Sequence, residues 1–232
     1  MSGPGEARRR VVLAGATGLV GRHCLARLLE DPSFDRVIAI GRRPPPISHP
    51  SLEPLIVDFE EWCRDPQLPL CDTVICCLGT TRRKAGSRAA FRRVDRDYPV
   101  ALARAGREAG AARFLLVSAV GANPRSRFFY NRVKGEAETA VQGPGYDFVG
   151  IVRPSLLLGE REESRAAESI AALIGRRVGP LLRGGLRRYR PVHAADVAGA
   201  LVALASSADR GVRIVESEEV ESLARFTHGE EV

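Results

Sequence analysis

Tyr130 and Lys134 stand four residues apart in Tyr130-Asn131-Arg132-Val133-Lys134, and Ser118 precedes them by twelve. Side chains four apart share one face of a helix, so the phenol and the ammonium are expected to be neighbours. A free phenol ionises only near about pH 10, too high for ready proton exchange at neutral pH. A nearby cation stabilises phenolate and lowers that value. Tyr130 could then give a proton to a carbonyl oxygen, or take one from an alcohol, with Ser118 bonding the same oxygen.

A proton donor of this kind needs a partner that moves electrons, and the start of the chain supplies a place for one. Gly15-Ala16-Thr17-Gly18-Leu19-Val20-Gly21 follows an apolar run directly and opens a helical pattern. The first glycine permits a tight turn, the second lets a pyrophosphate approach the backbone, and the third lets helix and strand pack closely. Unpaired N–H groups and the helix dipole would hold the diphosphate. The position of this string, between a strand and an amphipathic helix, separates it from an ordinary glycine-rich turn.

About 20 residues further on, an acidic residue would hold the ribose of NAD, whereas arginine accommodates the 2′-phosphate of NADP. The sequence has Gly41-Arg42-Arg43 there, with no carboxylate at Ala39, Ile40 or Gly41. Forked guanidiniums match a phosphate, so NADP(H) is favoured over NAD(H). Asp58 has two readings: an acceptor for the adenine amino group, or a helix N-cap.

These groups must be held by a scaffold, and the hydrophobic pattern describes it. Apolar runs at Arg10–Ala14, Arg36–Ile40, Pro54–Val57, Thr73–Leu78, Arg113–Ser118 and Phe148–Val152 lack polar alternation, as in strands covered on both faces. Candidate helices lie between and after them at Leu19–Leu29, Asp95–Glu108, Phe129–Val141, Ser164–Ile174 and Ala194–Ala205. This alternation predicts an α/β fold, a doubly wound parallel sheet of Rossmann type with a small C-terminal lobe on the substrate side. Ser118 then sits at the carboxyl edge of the sheet, where such folds bind ligands. The 232 residues read as one domain, with about 8–153 as the cofactor-binding core and 154–232 as substrate loop and C-terminal elements. The tail from Glu216 reads as short helix or disorder.

Composition removes several classes. With 44% apolar and 27% charged residues the chain is not disordered, and no run is long enough to span a membrane. The five cysteines (24, 63, 71, 76 and 77) show no C-x-x-C, which fits a reducing compartment and suggests the cytoplasm. The histidines lack ligand spacing, so no metal is expected. The net charge of +7 is carried almost wholly by arginine, Lys84 and Lys134 being the only lysines. These arginines are scattered and not interleaved with aromatics, so nucleic-acid binding is not expected. The cluster from Arg176 to Arg190 is either a solvated loop or a lure for an anionic substrate.

Gly15–Gly21, Ser118 and Tyr130-x-x-x-Lys134 together resemble the short-chain dehydrogenase/reductase superfamily. Cys76-Cys77-Leu78-Gly79-Thr80-Thr81-Arg82, Arg93-Val94-Asp95-Arg96-Asp97-Tyr98 and Val133-Lys134-Gly135-Glu136 narrow the likeness to its atypical, Tat-interacting-protein-like oxidoreductases. The resemblance implies that Leu78-Gly79-Thr80 borders the cofactor and that Arg153-Pro154-Ser155 lies along the nicotinamide. It implies that Tyr130 and Lys134 also touch the cofactor, Lys134 through the ribose. His193-Ala194-Ala195-Asp196 resembles the helix start after the substrate loop of extended members, with Asp196 as a cap. Where Asp95 stands, many members carry an asparagine that supports a proton-relay water.

The expected function is an NADP(H)-dependent reductase or dehydrogenase acting on a small carbonyl or alcohol, as monomer or homodimer. The alternative is an NADP(H)-binding regulatory or sensor protein with little turnover that works through protein partners.

Overall fold

The computed structural model of the chain describes residues 9–159 and 188–225. The expected helix Ser164–Ile174, and all but the last few residues of the arginine-rich 175–191 loop, lie outside the described residues.

Seven parallel strands form one sheet in the order β3-β2-β1-β4-β5-β6-β9. They are β1 (Arg9–Ala14), β2 (Phe34–Gly41), β3 (Leu52–Ile56), β4 (Thr73–Cys76), β5 (Arg113–Val117), β6 (Phe148–Arg153) and β9 (Gly211–Glu216). A separate parallel pair, β7 (Leu157–Leu158) with β8 (Val192–His193), forms the small C-terminal sheet. The doubly wound architecture is thus as expected, and the order reverses between β1 and β4, which opens a crevice at their carboxyl ends.

The missing polar alternation in the strands has a direct cause. Val11 and Leu13 of β1 pack in one apolar layer with α1 (Leu19–Glu30) and α7 (Ala194–Ser206). Val12 and Ala14 face the opposite layer, with Leu102 and Ala103 of α5 (Tyr98–Glu108) and Val141 of α6 (Phe129–Val141). Both faces are therefore covered along the middle of each central strand, which is why polar alternation is missing there.

Two differences from the sequence reading stand out, an added strand and an earlier helix start, while the tail takes the helical one of its two readings. β9 was not expected, because Val212, Arg213 and Ile214 remain exposed and alternate with polar residues at the sheet's edge. The tail beyond it forms α8 (Val220–Arg225), packed through Ala224 onto Gly199 of α7. The helix expected from Asp95 begins earlier, as α4 (Arg88–Arg92), whose start is capped by Ser87 Oγ accepting from the Ala90 N–H at 3.0 Å. It continues through a π-helical turn at Arg93–Asp97 into α5. Two further single turns, α2 (Phe59–Trp62) and α3 (Arg82–Ala85), follow β3 and β4.

Arg113 fixes the far end of α7. Its guanidinium lies 4.3 Å over the Phe148 ring and donates to the Leu204 carbonyl at 2.9 Å, the Ser207 hydroxyl at 2.8 Å and the Asp209 carbonyl at 3.2 Å. A cation placed on the terminal carbonyls of a helix satisfies groups that have no partner within the helix.

Candidate active site

The loop between β1 and α1 is built from backbone alone. Gly15 has φ +84, a left-handed conformation, and a Cβ there would lie 2.8 Å from the Cys77 carbonyl. Gly18 donates to the Gly15 carbonyl at 2.9 Å, which closes the turn, and a Cβ on Gly21 would run into the same Gly15 carbonyl. Gly18 is the N-cap of α1 and makes no side-chain cap bond, so the first-turn N–H groups have no side-chain acceptor. Thr17 and Gly18 are exposed. The arrangement fits a dinucleotide pyrophosphate: free donors at a helix N-terminus, with no side chain in the way. Ala16 and Val20 are buried and Leu19 half-buried, anchoring the loop to the core.

Arg42 and Arg43 follow β2, whose neighbour in the sheet is β1, and both are exposed. Neither makes an ion pair among the described residues. Asp58 is an N-cap: its Oδ1 accepts from the N–H groups of Glu60 at 2.8 Å and Glu61 at 3.3 Å. The cap reading of this residue is therefore realised in full.

Two elements carry the expected trio: Ser118 follows β5, and Tyr130 and Lys134 lie one turn apart on α6. The backbone N–H of Ser118 donates to the Val152 carbonyl at 2.8 Å. Its hydroxyl is buried and has no hydrogen-bond partner among the described residues. An orphaned buried hydroxyl in a folded interior calls for a ligand. Tyr130 lies in the first turn of α6, is 37% exposed, and its ring rests 5.6 Å from the buried Phe91 of α4. Lys134, one turn further, is buried.

The charge partner of Lys134 was not legible in the sequence. Its Nζ lies 2.8 Å from Asp95 Oδ1, both side chains nearly sealed from solvent. The other carboxylate oxygen accepts from the Thr80 N–H at 2.9 Å, tying down the Leu78-Gly79-Thr80 segment after β4. A Cβ on Gly79 would lie 3.5 Å from Asp95 Oδ1 and 3.8 Å from Lys134 Nζ, so this glycine covers the ion pair directly. Burial opposes the charge on Lys134, but Asp95 and Tyr130 outweigh it, and the ammonium is held above its usual pKa.

Arg153 is engaged elsewhere. It donates to Glu138 through Nε at 2.9 Å and Nη2 at 2.6 Å, and to Glu216 through Nη1 at 2.8 Å. The guanidinium thus joins α6, β6 and β9. Pro154 accepts from the Val120 N–H at 2.9 Å, and the Ser155 N–H donates to the Ser217 hydroxyl at 3.0 Å. The Ser155 hydroxyl donates to the Arg190 carbonyl, so this segment is tied to the C-terminal elements. Asp196 corrects its expected role. The N-cap of α7 is His193, without a side-chain bond, and Asp196 sits inside the first turn, where its charge meets the positive end of the helix dipole.

Among the described residues no helix is long and apolar enough to cross a membrane, and no group of three or more acids, histidines or cysteines could hold a metal.

The family model described as NAD(P)H-binding matches residues 15–208. Among curated relatives, the mitochondrial protein fmp52 of Emericella nidulans is 37% identical over 168 residues, covering 69% of this chain and 72% of that protein. The protein HTATIP2 of Rattus norvegicus is 38% identical over 167 residues, covering 70% and 69%. Among solved structures, MoeE5 in complex with UDP-glucuronic acid and NAD superposes with TM-score 0.67 at 23% identity, covering 94% of this chain and 82% of that one. Human epimerase family protein SDR39U1 with NADPH gives TM-score 0.61 at 21% identity, covering 89% and 74%. The cytoplasmic expectation is overturned by the fmp52 relatives, whose names place them in mitochondria. Free thiols separate reducing from oxidising compartments; they do not separate one reducing compartment from another.

Proposed function

The chain belongs to the NAD(P)H-binding family, as an atypical short-chain dehydrogenase/reductase resembling the Tat-interacting protein, and from that premise we propose that it is an NADP(H)-dependent oxidoreductase of a small carbonyl or alcohol. The observation that supports the reading is the buried hydroxyl of Ser118, without a hydrogen-bond partner among the described residues, at the carboxyl end of β5.

In this reading the loop of Gly15, Ala16, Thr17, Gly18, Leu19, Val20 and Gly21 holds the pyrophosphate through its N–H groups. Arg42 and Arg43 hold the 2′-phosphate, and Lys134 the nicotinamide ribose. The bound dinucleotide supplies the hydride that goes to the carbonyl carbon. Ser118 donates to the carbonyl oxygen and orients it. Tyr130 passes its phenolic proton to that oxygen as the negative charge develops, and its partial exposure gives the spent phenolate a route to solvent for reprotonation. We also place the protein in mitochondria, on the printed names of the fmp52 relatives.

NADPH binding, followed by the fluorescence of the reduced ring, and oxidation of NADPH across a panel of aldehydes and ketones test the proposal. No binding of either reduced dinucleotide at millimolar concentration would overturn it. Reversing Arg42 and Arg43 together to glutamate is expected to weaken NADPH by about 10- to 100-fold, the value of a charge-assisted bond at roughly 1.5–3 kcal/mol. NADH should change little. Equal losses for both cofactors would reject the 2′-phosphate assignment.

A further inference from the structure

Five arginines near Tyr130 in the chain are not spent inside the fold. Arg82, Arg83, Arg88, Arg125 and Arg127 are exposed, and their guanidiniums make no ion pair or hydrogen bond among the described residues. The neighbouring acids are already engaged: Glu136 by Arg92 and Arg96, Asp97 by Arg96, Glu60 by Arg93 and Asp95 by Lys134. Aromatic contacts hold the two stretches that carry the five side by side. Phe91, one turn on from Arg88, packs its buried ring 5.7 Å from that of Phe129 and 5.6 Å from that of Tyr130. Arg88 sets its guanidinium over the Phe129 ring, 5.3 Å from its centre. Stacking uses the face of a guanidinium and leaves its in-plane N–H groups for an acceptor. The loop before α6 is fixed to that helix. The Asn123 N–H donates to the Asn131 carbonyl at 2.9 Å, the Asn131 side-chain amide to the Gly121 carbonyl at 2.8 Å, and Arg132 to the Ser126 carbonyl at 2.9 Å. Arg125, Arg127 and the 76% exposed Phe128 thus stand on an ordered backbone directly before Tyr130.

We propose that Arg88 and Arg127 form an anion-binding rim beside Tyr130, and that the substrate is a carbonyl compound bearing a carboxylate or phosphate on an apolar body that lies against Phe128. The inference rests on the oxidoreductase reading given above and names the substrate class of that site. Forked donors match the paired oxygens of a carboxylate or phosphate. Arg82, Arg83 and Arg125 add a positive field that draws an anion toward the rim. The dinucleotide makes no claim on these groups. In that reading its phosphates lie on the glycine loop after β1 and on Arg42 and Arg43 after β2, whereas the rim follows β4 and β5, across the point where the strand order reverses.

The test titrates the full chain, saturated with NADPH so that the cofactor's own phosphate sites are filled, with benzoate and 3-phenylpropanoate, each beside its uncharged amide. Calorimetry at low ionic strength follows binding without turnover. At least one carboxylate is expected to bind about 10-fold more tightly than its amide, the low end for a charge-assisted bond. Arg88→Gln with Arg127→Gln changes only exposed side chains and is expected to bring the two within about two-fold. Arg104→Gln with Arg210→Gln removes the same charge from exposed arginines elsewhere and is expected to keep the preference. Equal binding of carboxylate and amide by the parent would overturn the proposal. So would a preference that survives in the Arg88 and Arg127 variant, or one that falls as far in the Arg104 and Arg210 variant. In turnover, 4-carboxybenzaldehyde beside 4-methylbenzaldehyde should show the Arg88 and Arg127 variant losing the charged substrate through KM, by about 10-fold. No reduction of either aldehyde, with the binding preference and its loss in the variant intact, would sink the oxidoreductase reading and leave the anion-binding rim standing.

Discussion

Tyr130→Phe is expected to lose about 10²- to 10⁴-fold in turnover, the usual contribution of a positioned general acid, while binding NADPH as the parent does. The separation follows from the local packing. The Tyr130 ring rests on Phe91 at 5.6 Å, and phenylalanine keeps that contact. The phosphate loop and the arginines after β2 belong to other elements and stay as they are. Only the hydroxyl is removed, and with it the proton that neutralises the developing alkoxide. Stopped-flow oxidation of NADPH at saturating carbonyl, beside a fluorescence titration of the cofactor, measures both quantities. Turnover within a few-fold of the parent would assign proton donation to another group. It would favour the alternative of a cofactor-dependent sensor, for which the phenol is dispensable.

Glu138→Ala is expected to produce the largest loss of stability. Glu138 holds Arg153 with two short charged bonds, and its own side chain is only 5% exposed. These bonds to Glu138, joined by Glu216 and opposed by burial, keep the guanidinium more firmly protonated than usual, so it cannot shed its charge when a partner is lost. Removing one partner of a buried pair typically costs about 3–5 kcal/mol, because a charge is left uncompensated. Glu216 remains, at the edge and more exposed, which places the expectation near the lower end, about 3 kcal/mol. Urea unfolding followed by circular dichroism should show the midpoint falling with little change in slope. A loss below about 1 kcal/mol would show that water takes over the role of the carboxylate.

What could be read from the sequence was local along the chain. The glycine spacing of 15, 18 and 21 and the Tyr–Lys spacing in α6 are properties of single segments, and both stand where expected. So do the six expected strands, five of them (β1, β2, β4, β5 and β6) inside the sheet where burial on both faces leaves an apolar signature, with β3 at its more exposed edge. What the sequence hid was pairing between segments. Asp95 pairs with Lys134 from within a π-helical turn, which interrupts the regular helical period on which a prediction of its face would rest. The resemblance implied a place along the nicotinamide for Arg153; what no single segment showed is that its guanidinium at the end of β6 pairs with acids on α6 and β9. The cap at Ser87 was a usable signal for the earlier helix start, since serine before a helical stretch is a common N-terminal signature.

The seventh strand carries a practical lesson for anyone shortening this protein. The shared family segment stops at residue 208, whereas β9 runs from Gly211 to Glu216 and bonds along the whole of β6. A chain cut at that boundary would bare a row of unsatisfied N–H and C=O groups on β6, a template for self-association. It would also strip Arg153 of Glu216 and Ser155 of Ser217. Such a fragment is expected to elute as aggregate in size-exclusion chromatography where the full chain elutes as a defined species.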